Sequence, residues 1–338
     1  MTEENSTVSH LSVAMTTTGI TQITGEIVMA QSSSRVAEFY FHCALVATGV
    51  VGTATNALIL YALVASKQHK KHVLIVNQNV LDLFTCIFIV ITYSLKLGNI
   101  PLTGSVAYWL CILFLSECLI WCGTIGSVFN LASITIERYV KVVHPVWSRN
   151  KLRDWMTYSA MAIAWIGSFV YNTALVFSTT VVMESVCYAY TVWDSDTART
   201  IQFIYSFLSF YVIILLIFIF CYWRILIVIR RRASVMITPA AGPSTAQDQF
   251  NQMQSSVTKT MIYVCAFYAI SWLPIHMYAL NMTLNPNPTI SHGAYSVSLF
   301  VAFLYTCTNP FVYATKFDPV KEVLLQLIRR KKTSEYKP

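Results

Sequence analysis

The chain has 338 residues, 56% of them apolar and only 11% charged, with a formal net charge of +8 and a mean hydropathy of +0.57. Ordinary soluble domains carry about 25% charged residues, so this composition excludes a typical water-soluble enzyme and points to the bilayer. Lys and Arg fall in short clusters between apolar runs, the pattern that orients membrane proteins, so no nucleic-acid partner is expected.

Residues 1–36 are polar and rich in Thr and Ser, which predicts a disordered tail without a cleavable signal peptide. Within it, Asn5-Ser6-Thr7 fits a glycosylation sequon, usable only outside the cell. A first apolar span over 37–65 contains Asn56 and stops at the basic loop Ser66–His72. The second, over 73–97, carries Asp82 among Val80, Leu81, Leu83 and Phe84, after Asn77 and Asn79. A carboxylate at membrane depth is costly without partners, which makes Asp82 a functional candidate.

The third span, over 108–141, begins near Cys111 and ends at Glu137-Arg138-Tyr139. Its ~25 apolar residues, at ~1.5 Å each, exceed the ~30 Å hydrocarbon core. Arg138 then sits where membrane meets water with Glu137 as partner, a candidate switch. The fourth span, over 155–182, contains Trp165. The connection after it holds Glu184, Cys187, Asp194 and Asp196. The alternation in Thr179–Val182 and Tyr190–Trp193 permits a short hairpin there.

The fifth span, over 201–229, ends in Arg230-Arg231-Arg232, and residues 233–256 read as a loop rich in Pro, Gly and Ser. The sixth, over 257–284, contains Trp272-Leu273-Pro274, whose proline predicts a kink. The seventh, over 290–315, ends in Asn309-Pro310-Phe311-Val312-Tyr313. Asp318-Pro319 suits a helix start, and Val320, Val323, Leu324, Leu327 and Ile328 lie opposite Lys321, Gln326 and Arg329. Residues 317–338 are therefore expected to form an amphipathic surface helix and a basic cytoplasmic tail.

The predicted fold class is an all-α membrane protein, a seven-transmembrane helix bundle over 37–316. Short-loop Lys and Arg concentrate at 67–71, 141–153, 224–232 and 316–332, the alternate connections. That asymmetry predicts an extracellular N-terminus and a cytoplasmic C-terminus. Nine cysteines are scattered without a C-x-x-C pair or zinc-spaced His, so no metal site is expected from them. No nucleophile–base pair suggests an enzyme, and no internal repeat suggests a transporter.

One signature residue on nearly every span, in order, resembles the rhodopsin-like (class A) G-protein-coupled receptors: Asn56, Asp82, Glu137-Arg138-Tyr139, Trp165, Trp272-Leu273-Pro274 and Asn309-Pro310-x-x-Tyr313. The resemblance covers about residues 37–330. It implies a plasma-membrane receptor with a heterotrimeric G protein and arrestin as partners. By resemblance, Glu137, Arg138, Tyr139, Tyr222, Trp272, Pro274, Asn309, Pro310 and Tyr313 form the activation switch, and Cys111 and Cys187 a disulfide. Asp82, Ser127 and Asn309 match a buried sodium site, the one ion the resemblance raises; no other cofactor is expected.

Four departures from the family pattern stand out. Gly123 and Tyr305 occupy positions where receptors with a strong sodium site often have asparagines. Ile214 replaces the usual fifth-helix proline, eight residues before Tyr222. Cys111 lies two residues farther from Arg138 than is common, which predicts a shifted or bulged third helix. Gln254 stands where an acidic residue often latches Arg138, which implies a latch made mainly by Glu137 and appreciable basal activity.

The position eighteen residues before Arg138 is Ile120, or Cys118 with the two-residue offset, so an amine-binding Asp is missing. Phe303 stands where visual pigments need a lysine, which excludes an opsin. A neuropeptide is the expected ligand, with a small molecule or lipid, or a nonsignalling decoy, as alternatives. Glu117, Ile120, Trp121, Gln202, Trp272, His276, Tyr278 and Tyr295 are the pocket candidates.

Overall fold

The computed structural model describes residues 4–98, 102–236, 246–285, 292–316 and 320–327, without the side chains of 4–32, 105, 232–236, 246–260, 292, 313, 315 and 316. Its elements follow the apolar runs: α1 (Glu4–Ala65), α2 (Val73–Leu97), α3 (Gly104–Leu110), α4 (Cys118–Val143), α5 (Pro145–Lys151), α6 (Asp154–Thr179), β1 (Val181–Met183), β2 (Val186–Tyr188), α7 (Asp196–Phe207), α8 (Ile213–Met236), α9 (Ala246–Leu284) and α10 (His292–Lys316). Residues 320–327 form a further helix, α11. Among the described residues, seven helices are long and apolar enough to cross a membrane. Asn5, Gln254 and Tyr313 lie where only the backbone is described, and Asp318, Pro319 and Ile328 lie outside the described residues.

Several boundaries differ from the sequence expectation. The backbone is helical from Glu4, through the residues read as a tail, and again from Ala246, within the stretch read as a loop. Extending a helix fixes one residue per new hydrogen bond, so an established span can propagate into polar sequence that would not nucleate alone. The hairpin's second strand is Val186–Tyr188 rather than Tyr190–Trp193, because Glu184 (φ 49°) and Ser185 (φ 62°) make a two-residue left-handed turn directly after β1. Such a turn matches strand twist and fixes the register, pairing Val182 with Cys187. α7 starts at Asp196, where the Ser195 hydroxyl accepts the Ala198 N–H at 3.1 Å.

Two spans contain wide turns. Between α3 and α4, the Ser116 N–H donates to the Cys111 carbonyl five residues back, at 2.9 Å. Glu117 is then left-handed (φ 63°, ψ 19°) before α4 resumes at Cys118. The two extra residues between Cys111 and Arg138 are taken up here. The fifth span widens similarly at Leu208–Val212, between α7 and α8, although Ile214 replaces the proline.

Contacts separate the residues up to Ala44 from a unit beginning at Leu45. In the first, His42 Nε2 lies 4.0 Å from Glu38 Oε1, one turn away. The second is the bundle, in which α4 is central, packed against α2, α6 and α8, while α9 packs on α10. Close approach on α4 requires glycine. A Cβ at Gly123 would stand 2.3 Å from Thr85 Oγ1, and one at Gly126 2.9 Å from Leu81. Ile163, Ile166 and Val170 on α6, with Leu216, Ile219 and Trp223 on α8, are more than half exposed. A water-exposed surface this apolar would be costly, whereas a bilayer accommodates it.

Candidate functional site

Three polar assemblies lie along the bundle. The first borders a cavity of about 1060 Å³ near the hairpin end. Glu117, Trp121, Gln202, Trp272, His276, Tyr278 and Tyr295 all border it, as the sequence suggests. Ile120 does not. It is fully buried in helix packing, because the residue after it on α4 points about 100° away and carries Trp121 to the cavity instead. Trp121 stacks obliquely on Trp272 (6.1 Å between centroids) and on Phe303 (5.8 Å), and His276 lies 4.8 Å from the Tyr211 ring. Gln202 donates to Tyr171 Oη at 2.5 Å.

Glu117 belongs to one of the ion pairs that border this cavity. Its Oε1 accepts both Lys96 Nζ at 2.5 Å and the Tyr93 hydroxyl at 2.7 Å, and Lys96 lies 4.7 Å above the Tyr93 ring. The side chains of Lys96 and Glu117 are 22% and 11% exposed. Burial this deep makes the pair costly to break. Cys111 is bonded to Cys187 on β2 (Cα–Cα 5.4 Å), which pins the hairpin to the wide turn beside this pair. Burial, with Glu117 nearby, pushes the Tyr190 hydroxyl well above its ordinary value.

The second assembly surrounds Asp82, which is fully buried. Asn309 Nδ2 donates to Oδ2 at 2.7 Å, and the Ser127 hydroxyl donates to Oδ1 at 2.8 Å. Gln78, one turn before, donates to the Ser127 oxygen and approaches Asp82 Oδ1 at 3.5 Å. Its carbonyl accepts from Asn130 at 2.8 Å, Asn130 accepts from Asn77 at 2.8 Å, and Asn77 accepts from Trp165 Nε1 at 3.0 Å. One amide chain thus ties α2, α4, α6 and α10 together. N–H and O–H groups meet both carboxylate oxygens of Asp82, and the same side chains bring oxygen atoms to it. Asp82, the Ser127 hydroxyl oxygen and the buried, unpartnered Asn309 Oδ1 are hard oxygen donors that would suit the sodium ion the resemblance raises.

The third assembly is at the far end of α4. Arg138 Nη2 donates to Glu137 Oε2 at 3.0 Å, and Lys141 Nζ to Oε1 at 2.6 Å. The Arg138 side chain is only 2% exposed. Tyr222 Oη lies 3.2 Å from Thr135 Oγ1, one turn before Arg138 along α4. His72, between α1 and α2, is held down to about 4, chiefly by burial and then by the charge of Arg138, with Lys141 and Lys71 adding to it and Glu137 opposing. Pro274 and Pro310 lie inside α9 and α10.

Sequence reading reached Asp82, Glu117 and Arg138 but missed Lys96, Tyr93, Gln78 and Asn130. Gln78 had a usable signal, one turn from Asp82 on the same helix face. Lys96 had none, since its partner is twenty-one residues away on another helix.

A heptahelical bundle with a cavity at one end and a buried, glutamate-held arginine at the other defines a membrane receptor. The chain belongs to the rhodopsin family of seven-transmembrane receptors: residues 55–313 match the model described as 7 transmembrane receptor (rhodopsin family). It is accordingly a multi-pass plasma-membrane protein, from a family of receptors rather than enzymes. The chain is 24% identical over 281 residues to melatonin receptor type 1A-A of Danio rerio, covering 80% of this chain and 75% of that one. It is 23% identical to galanin receptor 2a of the same species, covering 78% and 71%. The match to melatonin receptor type 1B of Gallus gallus, also 23% identical, spans 56% of this chain and 64% of that receptor. Squid rhodopsin superposes with a TM-score of 0.71 at 16% identity over 88% of this chain and 87% of that one, which shows the fold.

Proposed function

We propose that this receptor transmits binding of an extracellular ligand, a neuropeptide, to a cytoplasmic heterotrimeric G protein, with arrestin as a second cytoplasmic partner. The observation that carries the reading is the joining of cavity and buried arginine by one helix. Glu117 and Arg138 are twenty-one residues apart on one span, about 30 Å of helix. Basic connections at 67–71, 141–153, 224–232 and 316–332 support an outward-facing cavity, an inward-facing Arg138 and an extracellular Asn5 sequon. A cavity of about 1060 Å³ exceeds what a drug-sized ligand fills and has a disulfide-tied hairpin beside it, which suits the end of a peptide.

The agonist binds more tightly to the active arrangement and shifts the population toward it. Trp121 and Trp272 sense the ligand. α9 swings about Pro274, and Arg138 leaves Glu137 to meet the G protein. Tyr222, Tyr313, Tyr139, Asn309 and Pro310 support that state. Galanin is a peptide and melatonin a small molecule, so the relatives accommodate both ligand classes. The aromatic lining favours a small molecule as the second reading.

The test is G-protein activation in cells expressing the parent or Arg138→Ala, without and with a neuropeptide library. A peptide response that the variant loses supports the reading. A basal signal lost in the variant with no peptide response moves the ligand to small molecules. No signal from a surface-expressed parent sinks it in favour of a decoy.

A further inference from the structure

The cavity's charges are already matched among themselves. Of the residues that border it, four carry full charges, and they form two pairs: Lys96 with Glu117 at 2.5 Å, and Asp196 with Arg199 at 3.1 Å. The second is largely exposed, with side chains 92% and 48% accessible, and water screens it. The first is sheltered, its side chains 22% and 11% exposed. It also stands on irregular backbone. The wide turn at Cys111–Leu115 and the left-handed Glu117 deliver this carboxylate to Lys96 on α2. A non-glycine residue held in that conformation stores strain that the fold must offset, as often happens at ligand sites.

Such a pair selects on charge. A ligand cation drawn to Glu117 meets Lys96 2.5 Å from the same oxygen, and a ligand anion drawn to Lys96 meets Glu117. Displacing either partner leaves a sheltered charge uncompensated. An uncharged group that offers an acceptor beside a donor avoids both costs. Lys96 uses one N–H on Glu117 and has others to give. Both bonds to Glu117 fall on Oε1, and Oε2 takes part in neither. A carboxamide matches this arrangement, its C=O accepting from Lys96 Nζ and its N–H donating to Glu117 Oε2. Both new bonds are charge-assisted. Tyr93 donates to the same Oε1 and helps keep Glu117 in place.

We propose that Lys96 and Glu117 form a carboxamide-reading subsite, so that the ligand enters with an uncharged amide end rather than an ammonium or a carboxylate. The inference rests on the reading of this cavity as the receptor's ligand site. The amide is a primary one, as at an amidated peptide C-terminus, because a secondary amide points its N–H away from its C=O and cannot meet Lys96 and Glu117 together.

The test is thermal unfolding of the purified full-length receptor with probes on one apolar scaffold. Dipeptides of Phe, Trp, Tyr and Leu are used in four forms: acetylated and amidated, acetylated with a free carboxylate, amidated with a free amine, and unblocked. N-acetylphenethylamine and N-acetyltryptamine, whose only amide is secondary, form a control arm expected to stabilise the parent no better than the charged forms, and a parent that prefers them to the amidated dipeptides overturns the proposal. The uncharged dipeptides are expected to stabilise the parent at concentrations at least tenfold below the charged ones. Glu117→Gln is expected to shift the preference to the carboxylate form, and Lys96→Met to the amine form. If either single variant fails to fold, Lys96→Met/Glu117→Gln leaves no orphan charge and is expected to bind the uncharged forms at least tenfold more weakly than the parent. A parent that prefers a charged or unblocked form, that no uncharged probe stabilises at millimolar concentration, or whose preference survives these variants overturns the proposal. Unfolding reports binding without signalling, so its failure is separable from a failure of the Arg138 test.

Discussion

At one end of the third span Glu137 binds Arg138 and Lys141, its near neighbours on the same helix. At the other end Glu117 binds Lys96 and Tyr93, both from α2, across a break in the helix. The first pair is local. Glu137 and Lys141 lie one turn apart on one helix face and Arg138 is the residue after Glu137, so a single helix keeps all three within side-chain reach. The pair opens by side-chain rearrangement that separates a sheltered arginine from its carboxylate. The second exists only because a wide turn, a left-handed residue and a disulfide fix the approach of two helices. A local latch can open without moving one helix against another, as a switch requires, while the cross-helix pair is fixed by the packing of two helices, as a selective pocket requires.

The largest expected effect removes the support of the cross-helix pair. Cys187→Ser opens a link between residues 76 apart in sequence and should cost about 3–4 kcal/mol of stability, read as a lower midpoint in thermal unfolding. An unchanged midpoint would mean that the wide turn holds itself.

Single charge removals come next, and they compare the two pairs directly. Glu117→Gln and Glu137→Gln each leave a sheltered cation and should cost about 2–3 kcal/mol. Only Glu137→Gln should also raise basal G-protein signalling, measured without ligand in cells; no increase would count against Arg138 being held by this pair. Adding Lys96→Met to Glu117→Gln should recover most of the loss, with a coupling of about 1–2 kcal/mol in a double-mutant cycle.

Acid should act on the latch end. His72 in the fold binds a proton only near pH 4, against about 6.5 when unfolded, so the unfolded chain binds more protons between those values. Stability is therefore full above about pH 6.5 and falls as the pH drops, by about 2 kcal/mol near pH 5. His72→Phe should flatten that slope; an equal slope in the variant would assign it elsewhere. The smallest change is Tyr93→Phe, which removes one hydrogen bond to Glu117 and should cost about 1.5 kcal/mol in the same unfolding measurement.

Much of the architecture is legible in the chain because apolar run length must match bilayer thickness whatever the neighbours do. The candidates Trp121, Gln202, Trp272, His276 and Tyr295 could be drawn from the order of the signature residues, and all reach one cavity. Ile120 could not be excluded in this way, since helix rotation about a bulge decides which of two adjacent residues faces in. The place of β2 was also hidden, because Glu184 and Ser185 are not the residues that usually mark a tight turn.

The sequence by itself determined seven spans, the Glu137–Arg138 pair and the proline positions in the sixth and seventh helices, since each depends on neighbours within a few turns. Tertiary structure alone decided that Lys96 meets Glu117, and that Gln78 and Asn130 close an amide chain on Asp82. Those contacts join residues twenty to fifty positions apart across helices, where separation along the chain says nothing of distance. Only the packing of α4 against α2 brings them within hydrogen-bond reach.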